Sequence, residues 1–242
     1  MVRIQWMLRL TFIWLLTMPF GVQAARLAIV IDDLGYQQMP SPLSALPPQI
    51  TVSILPDTPF DQLTAHQATQ EKRDVLLHMP MQPSQPAPLE LTTLTSAMKK
   101  DELQEKLRHA LTRVPGAIGV NNHMGSALTQ NTVAMDWVME VLKQQQLGFL
   151  DSRTTPFSVA EKQAQAAQIP ALRRHVFLDH VPTEAFIRRQ IHQAIRQAKA
   201  EGRVIAIGHP HPVTLATLTA MLPEMQQQVT LVRLSELYPT AG

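Results

Sequence analysis

The chain has 242 residues, 45% of them apolar and 17% charged, with 21 Lys+Arg against 19 Asp+Glu, nineteen Pro and no Cys. That length buries a core as one domain of roughly 200 to 250 residues or as two small ones, and the apolar content argues against wholesale disorder. The near balance of charge leaves no basic footprint, so no nucleic-acid partner is expected. Without cysteine there is no disulfide, no thiolate metal site and no Cys nucleophile, so any metal must sit on imidazole and carboxylate.

Residues 1–24 carry Arg3 and Arg9 ahead of an apolar run from Leu10 to Phe20, then Val22-Gln23-Ala24. This is the three-part layout of a secretory signal, with small residues where cleavage occurs. The alternative is an uncleaved membrane anchor, because Trp6 and Met7 extend the apolar region toward the roughly 17 residues a short span needs. Either way the bulk of the chain is expected outside the cytoplasm, periplasmic or otherwise exported, with no stable membrane span after cleavage. Cleavage after Ala24 removes two Arg and no acid, leaving 19 basic and 19 acidic residues.

Residues 25–242 contain no repeat, heptad series or low-complexity block and are expected to form one domain. Strand-length apolar runs rich in β-branched residues occur at Leu27–Ile31, Ile50–Leu55, Val75–His78, Ala117–Val120, Leu147–Leu150, His175–Leu178, Val204–Ile207 and Val229–Val232. Helix patterns lie between several of them, at Asp61–Gln70, Lys99–Arg113, Asn131–Gln146, Thr183–Ala200 and Val213–Met221. In Thr183–Ala200 the apolar positions Ile187, Ile191, Ile195 and Ala198 share one face, and the pattern opens at Pro182-Thr183 and stops at Gly202. The stretch Pro80 to Ser96 holds four prolines and predicts a stiff surface loop, a domain boundary there being the rival reading. Strand and helix alternating this often imply an α/β fold with a mostly parallel sheet, and seven or eight strands favour a (β/α) barrel over an open doubly wound sheet.

In such barrels the chemistry sits at the carboxyl ends of the strands. The polar residues obey that rule: Asp32 and Asp33 end the first strand, and His78 ends the third. Asn121, Asn122 and His123 follow the fourth, Asp151 ends the fifth, Asp179 and His180 follow the sixth, and His209 and His211 follow the seventh. Two adjacent carboxylates repel unless a cation or proton separates their roles, so a metal on one leaves the other free as a base. The rival for Asp32-Asp33-Leu34-Gly35 is a strand-end turn in which Asp bonds local amides. Asp33, His78 and His123 would form a three-ligand site of the mixed imidazole and carboxylate kind that suits Zn²⁺ and leaves a position open for water. Asn121 and Asn122 either orient ligands and substrate or make a turn. Asp151 and Arg153 either orient a reacting group or cap a helix. One ring of His209-Pro210-His211 could protonate a leaving group, His211 being as well read as part of a connector. His66, His109, His175 and His192 are read as structural.

The series Ile31-Asp32-Asp33-Leu34-Gly35, Leu77-His78-Met79-Pro80-Met81, Asn121-Asn122-His123-Met124-Gly125-Ser126, Leu150-Asp151-Ser152-Arg153-Thr154 and Gly208-His209-Pro210-His211 resembles the divergent polysaccharide deacetylase family. The resemblance covers about Arg26 to Tyr238. It implies a deformed (β/α) barrel of the NodB-homology type and metal-dependent removal of acetyl groups from an N-acetylated polysaccharide or peptidoglycan-type substrate, with Zn²⁺ as the expected metal. By the same likeness Asp32 is the expected base, Asp33 a metal ligand and His209 the acid. Two features depart from the parent deacetylases. Their H-x-x-x-H motif is broken here, with Gln82 at the fourth place after His78, and their arginine-proline-tyrosine motif has no counterpart near Val114-Pro115-Gly116. The competing functions are a non-catalytic envelope protein that binds a glycan or a partner, and a metal-dependent hydrolase of esters or phosphates.

Overall fold

The apolar run that follows the leader becomes an inner strand of a curved parallel sheet. The computed structural model describes residues 25–239, so the leader lies outside the described residues. The first half of the chain gives β1 (Arg26–Leu34), α1 (Ser41–Ser44), β2 (Thr51–Ile54), α2 (Asp61–Gln70), β3 (Val75–Met81), α3 (Lys100–Arg113) and β4 (Ala117–Met124). The second half gives α4 (Thr132–Gln144), β5 (Gly148–Asp151), α5 (Ala160–Ala166), β6 (Ala171–Arg173), β7 (Val176–Phe177), α6 (Glu184–Glu201), β8 (Arg203–Gly208), α7 (Pro212–Gln228) and β9 (Thr230–Leu231).

The strands stand in the order β6-β5-β4-β3-β2-β1-β8-β7, β9 joins the start of β1, and the pairings are parallel. β6 and β7 are at opposite ends of that order, yet only Arg174 and His175 separate them. The Arg174 N–H donates to Asp151 O of β5 at 2.9 Å, and the next N–H, that of His175, donates to Ile205 O of β8 at 2.9 Å. One extended segment thus leaves one edge of the sheet and joins the other. The sheet curls into the deformed barrel expected from the alternation of strands and helices.

Period two along β1 shows how the wall is built. Ala28 and Val30 face the barrel interior with Leu76, Leu150, Leu172, Ile205 and Ile207. Leu27, Ile29 and Ile31 face outward and pack under the helices with Leu103, Leu107, Ile187, Ile191 and Ile195. Both faces are buried, so the strand reads as a continuous apolar run, and each buried Leu, Ile or Val contributes about 1.5–3 kcal/mol of transfer free energy. The end of the barrel opposite the candidate site is closed by Tyr238. A Cβ on Gly148 would meet its ring at 2.6 Å, and one on Gly119 its hydroxyl at 2.8 Å, so those positions need glycine for the ring to enter.

Several boundaries differ from the sequence expectation. The run read as one strand at His175–Leu178 is the second half of a segment that starts paired at Ala171, because Arg173 and Arg174 interrupt the apolar pattern without interrupting the ladder. β1 and β4 continue through Asp32–Leu34 and Asn121–Met124, polar stretches that look like loop but complete their backbone bonds to neighbouring strands. α7 runs through Pro223 to Gln228, where burial of Met221 and Met225 offsets the missing hydrogen bond of the proline. The short helices α1 and α5 carry too few apolar residues to register as patterns.

His175 contributes a testable feature of the seam. Its Nδ1 accepts the Ile205 N–H at 3.1 Å, which requires the neutral ring. Burial first, then Arg173, Arg203 and Arg174, hold its pKa below the ordinary value against the opposing pull of Glu201. The unfolded chain therefore takes up this proton first as pH falls below about 6.5, and the stabilising contribution is lost going downward in pH. Urea midpoints of wild type and His175→Gln, measured from pH 8 to pH 5, are expected to draw together or cross as wild type loses ground. A constant difference across that range would refute the assignment.

Candidate active site at the carboxyl end of the barrel

Strand parity sorts the polar residues. Asp32 shares the inward face of β1 with Ala28 and Val30, and His78 the inward face of β3 with Leu76. Asn121 and His123 share one face of β4, where His78 pairs in register with Asn121 and Pro80 with His123. Asp33 should point the other way. It turns inward because the β1–β2 register slips between Ile31 and Leu34 and Asp33 adopts φ 59°, a left-handed conformation that Asp tolerates better than most residues. Gly35 closes the same bend with φ 116°, and a Cβ there would lie 2.2 Å from Thr58 Oγ1. Both adjacent carboxylates are thereby aimed at the barrel mouth.

Asp32, Asp33, His78, His123 and His209 all line one cavity of about 420 Å³, together with Arg174, Phe177 and His180. Asp33 Oδ1 lies 3.1 Å from His78 Nε2 and 2.9 Å from His123 Nδ1, and the two nitrogens are 3.2 Å apart. An ion with bonds of about 2.0–2.2 Å to such ligands separates neighbouring donors by roughly 2.9–3.4 Å, depending on geometry. Asp33 Oδ1 is also buried without a hydrogen bond of acceptable angle, as expected of a lone pair directed at a point shared with the imidazoles. The donor set therefore fits a divalent cation.

The flanking hydrogen bonds define which atoms are free. His78 Nδ1 lies 2.9 Å from Asn121 Oδ1, which also accepts the Ser53 hydroxyl at 2.6 Å, so the ring carries its proton on Nδ1 and turns Nε2 to the cluster. The Asn121 amide donates to Asp32 Oδ1 at 2.9 Å and Oδ2 at 3.1 Å. One buried amide thus sets both the tautomer of His78 and the orientation of Asp32.

Burial raises the Asp32 pKa in spite of His78, His209 and Asn121 nearby, the direction that makes its carboxylate a stronger base. Burial would raise Asp33 as well, but His123 and His78 outweigh it and hold this carboxyl well below the usual range. Burial would lower His78, but Asp32 and Asp33 push it up to about 9. A proton on this ring answers the carboxylates where a cation otherwise would, so metal binding here releases protons.

At the end of β8, the strand that pairs with β1, His209 Nδ1 lies 2.9 Å from Asp179 Oδ1, while Asp179 Oδ2 accepts the His209 N–H at 2.7 Å and the Thr214 hydroxyl at 2.8 Å. His209 Nε2 then faces the cavity, 3.7 Å from Asp33 Oδ2. Burial would lower this imidazole, but Asp179 first and then Asp33 raise it overall. His211 stands beside the dyad and is exposed; the acceptors of Asp179 are already committed to His209 and Thr214.

The remaining candidates separate cleanly. Asp151 falls on the outward parity of β5 with Phe149, and its oxygens accept Arg153 N–H at 2.8 Å and the Ser158 hydroxyl at 2.7 Å, so it braces the loop and does not enter the site. Arg153 lines the cavity but directs its guanidinium to the carbonyls of Ser158 and Pro156. Asn122 holds Met124 O and Ser152 N–H. His109 pairs with Asp57 and His192 with Glu224, as structural residues do. The orienting role of Asp179 was not read from the sequence, although its position after a strand adjoining β8 was the available signal. Arg174 gave none.

A family model described as divergent polysaccharide deacetylase matches residues 29–238. The chain belongs to that family. Among its relatives is YibQ of Escherichia coli K12, 42% identical over 229 residues that cover 94% of this chain and 72% of that protein. A Haemophilus influenzae protein is 39% identical over 220 residues, covering 90% of this chain and 79% of its own. The crystal structure of ATU2773 from Agrobacterium tumefaciens C58 superposes with a TM-score of 0.82 at 25% identity over 90% of each chain. The catalytic domain of a peptidoglycan N-acetylglucosamine deacetylase from Eubacterium rectale shares the fold, with a TM-score of 0.50 at 12% identity over 87% of this chain and 89% of that one. No helix among the described residues is long and apolar enough to cross a membrane.

Proposed function

We propose that this family member is an exported hydrolase that removes acetyl groups from an N-acetylated cell-wall glycan, using a divalent cation, Zn²⁺ by preference, held by Asp33, His78 and His123. The observation that carries this reading is the meeting of Asp33 Oδ1, His78 Nε2 and His123 Nδ1 within 3.2 Å of one another, between a buried carboxylate and an Asp–His dyad. A cation bound there supplies Lewis-acid polarisation of the acetyl carbonyl and makes the attacking water more acidic. Asp32 takes the proton from that water, its carboxylate held in place by the Asn121 amide. His209, protonated and oriented by Asp179, donates from Nε2 to the departing amine as the C–N bond breaks, so that amide and water become acetate and free amine. Asp32 and His209 then exchange protons with solvent and reset.

The signal-like layout of residues 1–24 supports a location outside the cytoplasm, where peptidoglycan is. An exported protein whose mass begins at Ala25 is the expected product, and one that retains residues 1–24 after export would refute cleavage. The activity is tested by acetate release from N-acetylglucosamine oligomers and peptidoglycan fragments. Release is expected with Zn²⁺, loss after chelation, and recovery on adding the metal back. No release across these substrates with Zn²⁺, Co²⁺ or Mn²⁺ would overturn the reading.

A further inference from the structure

The proline-containing loop between β3 and α3 does more than border the cavity. It is pinned at its base, where Leu94 N–H donates to Pro80 O at 2.8 Å, Gln82 N–H to Leu94 O at 2.9 Å, and Ser96 N–H to Gln82 Oε1 at 2.8 Å. From that base it leaves Leu89 48% and Leu91 97% exposed while turning Glu90, between them, inward to a side-chain exposure of 17%. Leaving two leucines in water while withdrawing a carboxylate from it runs against both transfer preferences, unless the carboxylate meets a polar partner inside. The facing group is His123, whose Nε2 lies 3.5 Å from Glu90 Oε1, and Glu90 Oε2 is buried with no hydrogen-bond partner. His123 Nδ1 is the atom turned toward Asp33.

We propose that Glu90 is the positioning residue of His123: its carboxylate accepts the Nε2–H, fixing the tautomer that leaves Nδ1 free for the cation. The inference rests on the metal reading above and deepens it. The two imidazoles are then oriented by unrelated devices, His78 by the Asn121 amide inside the barrel and His123 by an acid delivered from a surface loop. A ligating imidazole whose other N–H meets a carboxylate is held in orientation and made a stronger donor. Such a link is reciprocal, so bound metal stabilises the inward position of the loop as much as the loop stabilises the metal.

The test is metal affinity, measured on purified metal-free protein by competition between Zn²⁺ and a chromogenic chelator. Glu90→Ala is expected to weaken Zn²⁺ binding by about 10- to 100-fold. Glu90→Gln, which keeps an acceptor oxygen without the charge, is expected to recover part of that loss, and Leu91→Ala in the same loop to bind like wild type. Limited proteolysis of the loop should be slowed by Zn²⁺ in wild type and less so in Glu90→Ala. Affinity of Glu90→Ala within twofold of wild type would overturn the proposal, as would an equal loss in Leu91→Ala, which would mean that the loop had merely collapsed. A wild type that binds no Zn²⁺ would overturn the metal reading and this inference with it, whereas tight binding unaffected at Glu90 would overturn this inference alone.

Discussion

Asp32→Asn is expected to lower kcat for acetate release by about 10²- to 10⁴-fold, the usual contribution of a positioned base, while Zn²⁺ affinity stays within a few-fold of wild type. The asymmetry follows from geometry. Asp32 stands outside the ligand cluster, its Oδ2 3.7 Å from His78 Nε2, whereas Asp33 Oδ1 lies 3.1 Å from that nitrogen and 2.9 Å from His123 Nδ1. An amide at position 32 fills the same volume but has no basicity. His123→Ala removes a donor atom and is expected to lose Zn²⁺ affinity and activity together. Single-turnover acetate release at saturating Zn²⁺, paired with chelator competition on the same samples, separates the two effects. An Asp32→Asn enzyme with kcat within threefold of wild type would remove Asp32 from the chemistry.

Much of this site was legible as strand parity. Once Leu27–Ile31 is read as a buried strand, period two places Asp32 inside the barrel. The same count puts His78 inside after Leu76 and His209 inside after Ile205 and Ile207, and it sends Asp151 outward with Phe149. Asp151 is the candidate that parity would have removed. Asp33 shows where the rule stops, because its inward turn depends on a register slip and a left-handed backbone that periodicity does not encode. Glu90 was not legible: a glutamate in a proline-containing loop looks solvated until tertiary structure folds the loop over His123. The seam at Arg174-His175 was hidden for a related reason. Hydrogen bonds passing from β5 to β8 are long-range, and the local pattern there shows only two basic residues between short apolar runs.

The broken histidine motif takes a physical sense from the same register. With His78 on β3 and His123 two residues beyond Asn121, the in-register partner of His78 on β4, two adjacent strands bring together the imidazoles of the proposed cation site without a short two-histidine motif. The Asn121 amide that meets His78 also reaches Asp32, so the orientation of one imidazole and that of the proposed base share one residue. Asn121 lies in a pocket with no exposure, where a side chain of different hydrogen-bonding capacity would leave His78, Asp32 or Ser53 unsatisfied.

Asp179→Asn carries the second large effect, and its sign can be worked out. His209 acts as an acid, so activity requires its protonated form and falls as pH rises through its pKa. Burial alone would depress that pKa, and Asp179 is the first of the groups that raise it. Replacing the carboxylate by an amide removes the negative charge, lets the pKa fall, and moves the high-pH limb of the kcat profile to lower pH. The amide also offers one oxygen to the donors that Asp179 now satisfies: the His209 backbone N–H, the His209 Nδ1–H and the Thr214 hydroxyl. If its nitrogen turns toward the ring, Nδ1 is kept unprotonated and the imidazolium that serves as the acid is disfavoured, so kcat is expected to drop by roughly 10²- to 10⁴-fold. Zn²⁺ affinity should be unchanged, because Asp179 approaches none of the three donor atoms. A kcat profile whose high-pH limb stays in place in Asp179→Asn, with kcat within threefold of wild type, would show that the departing amine takes its proton from another group.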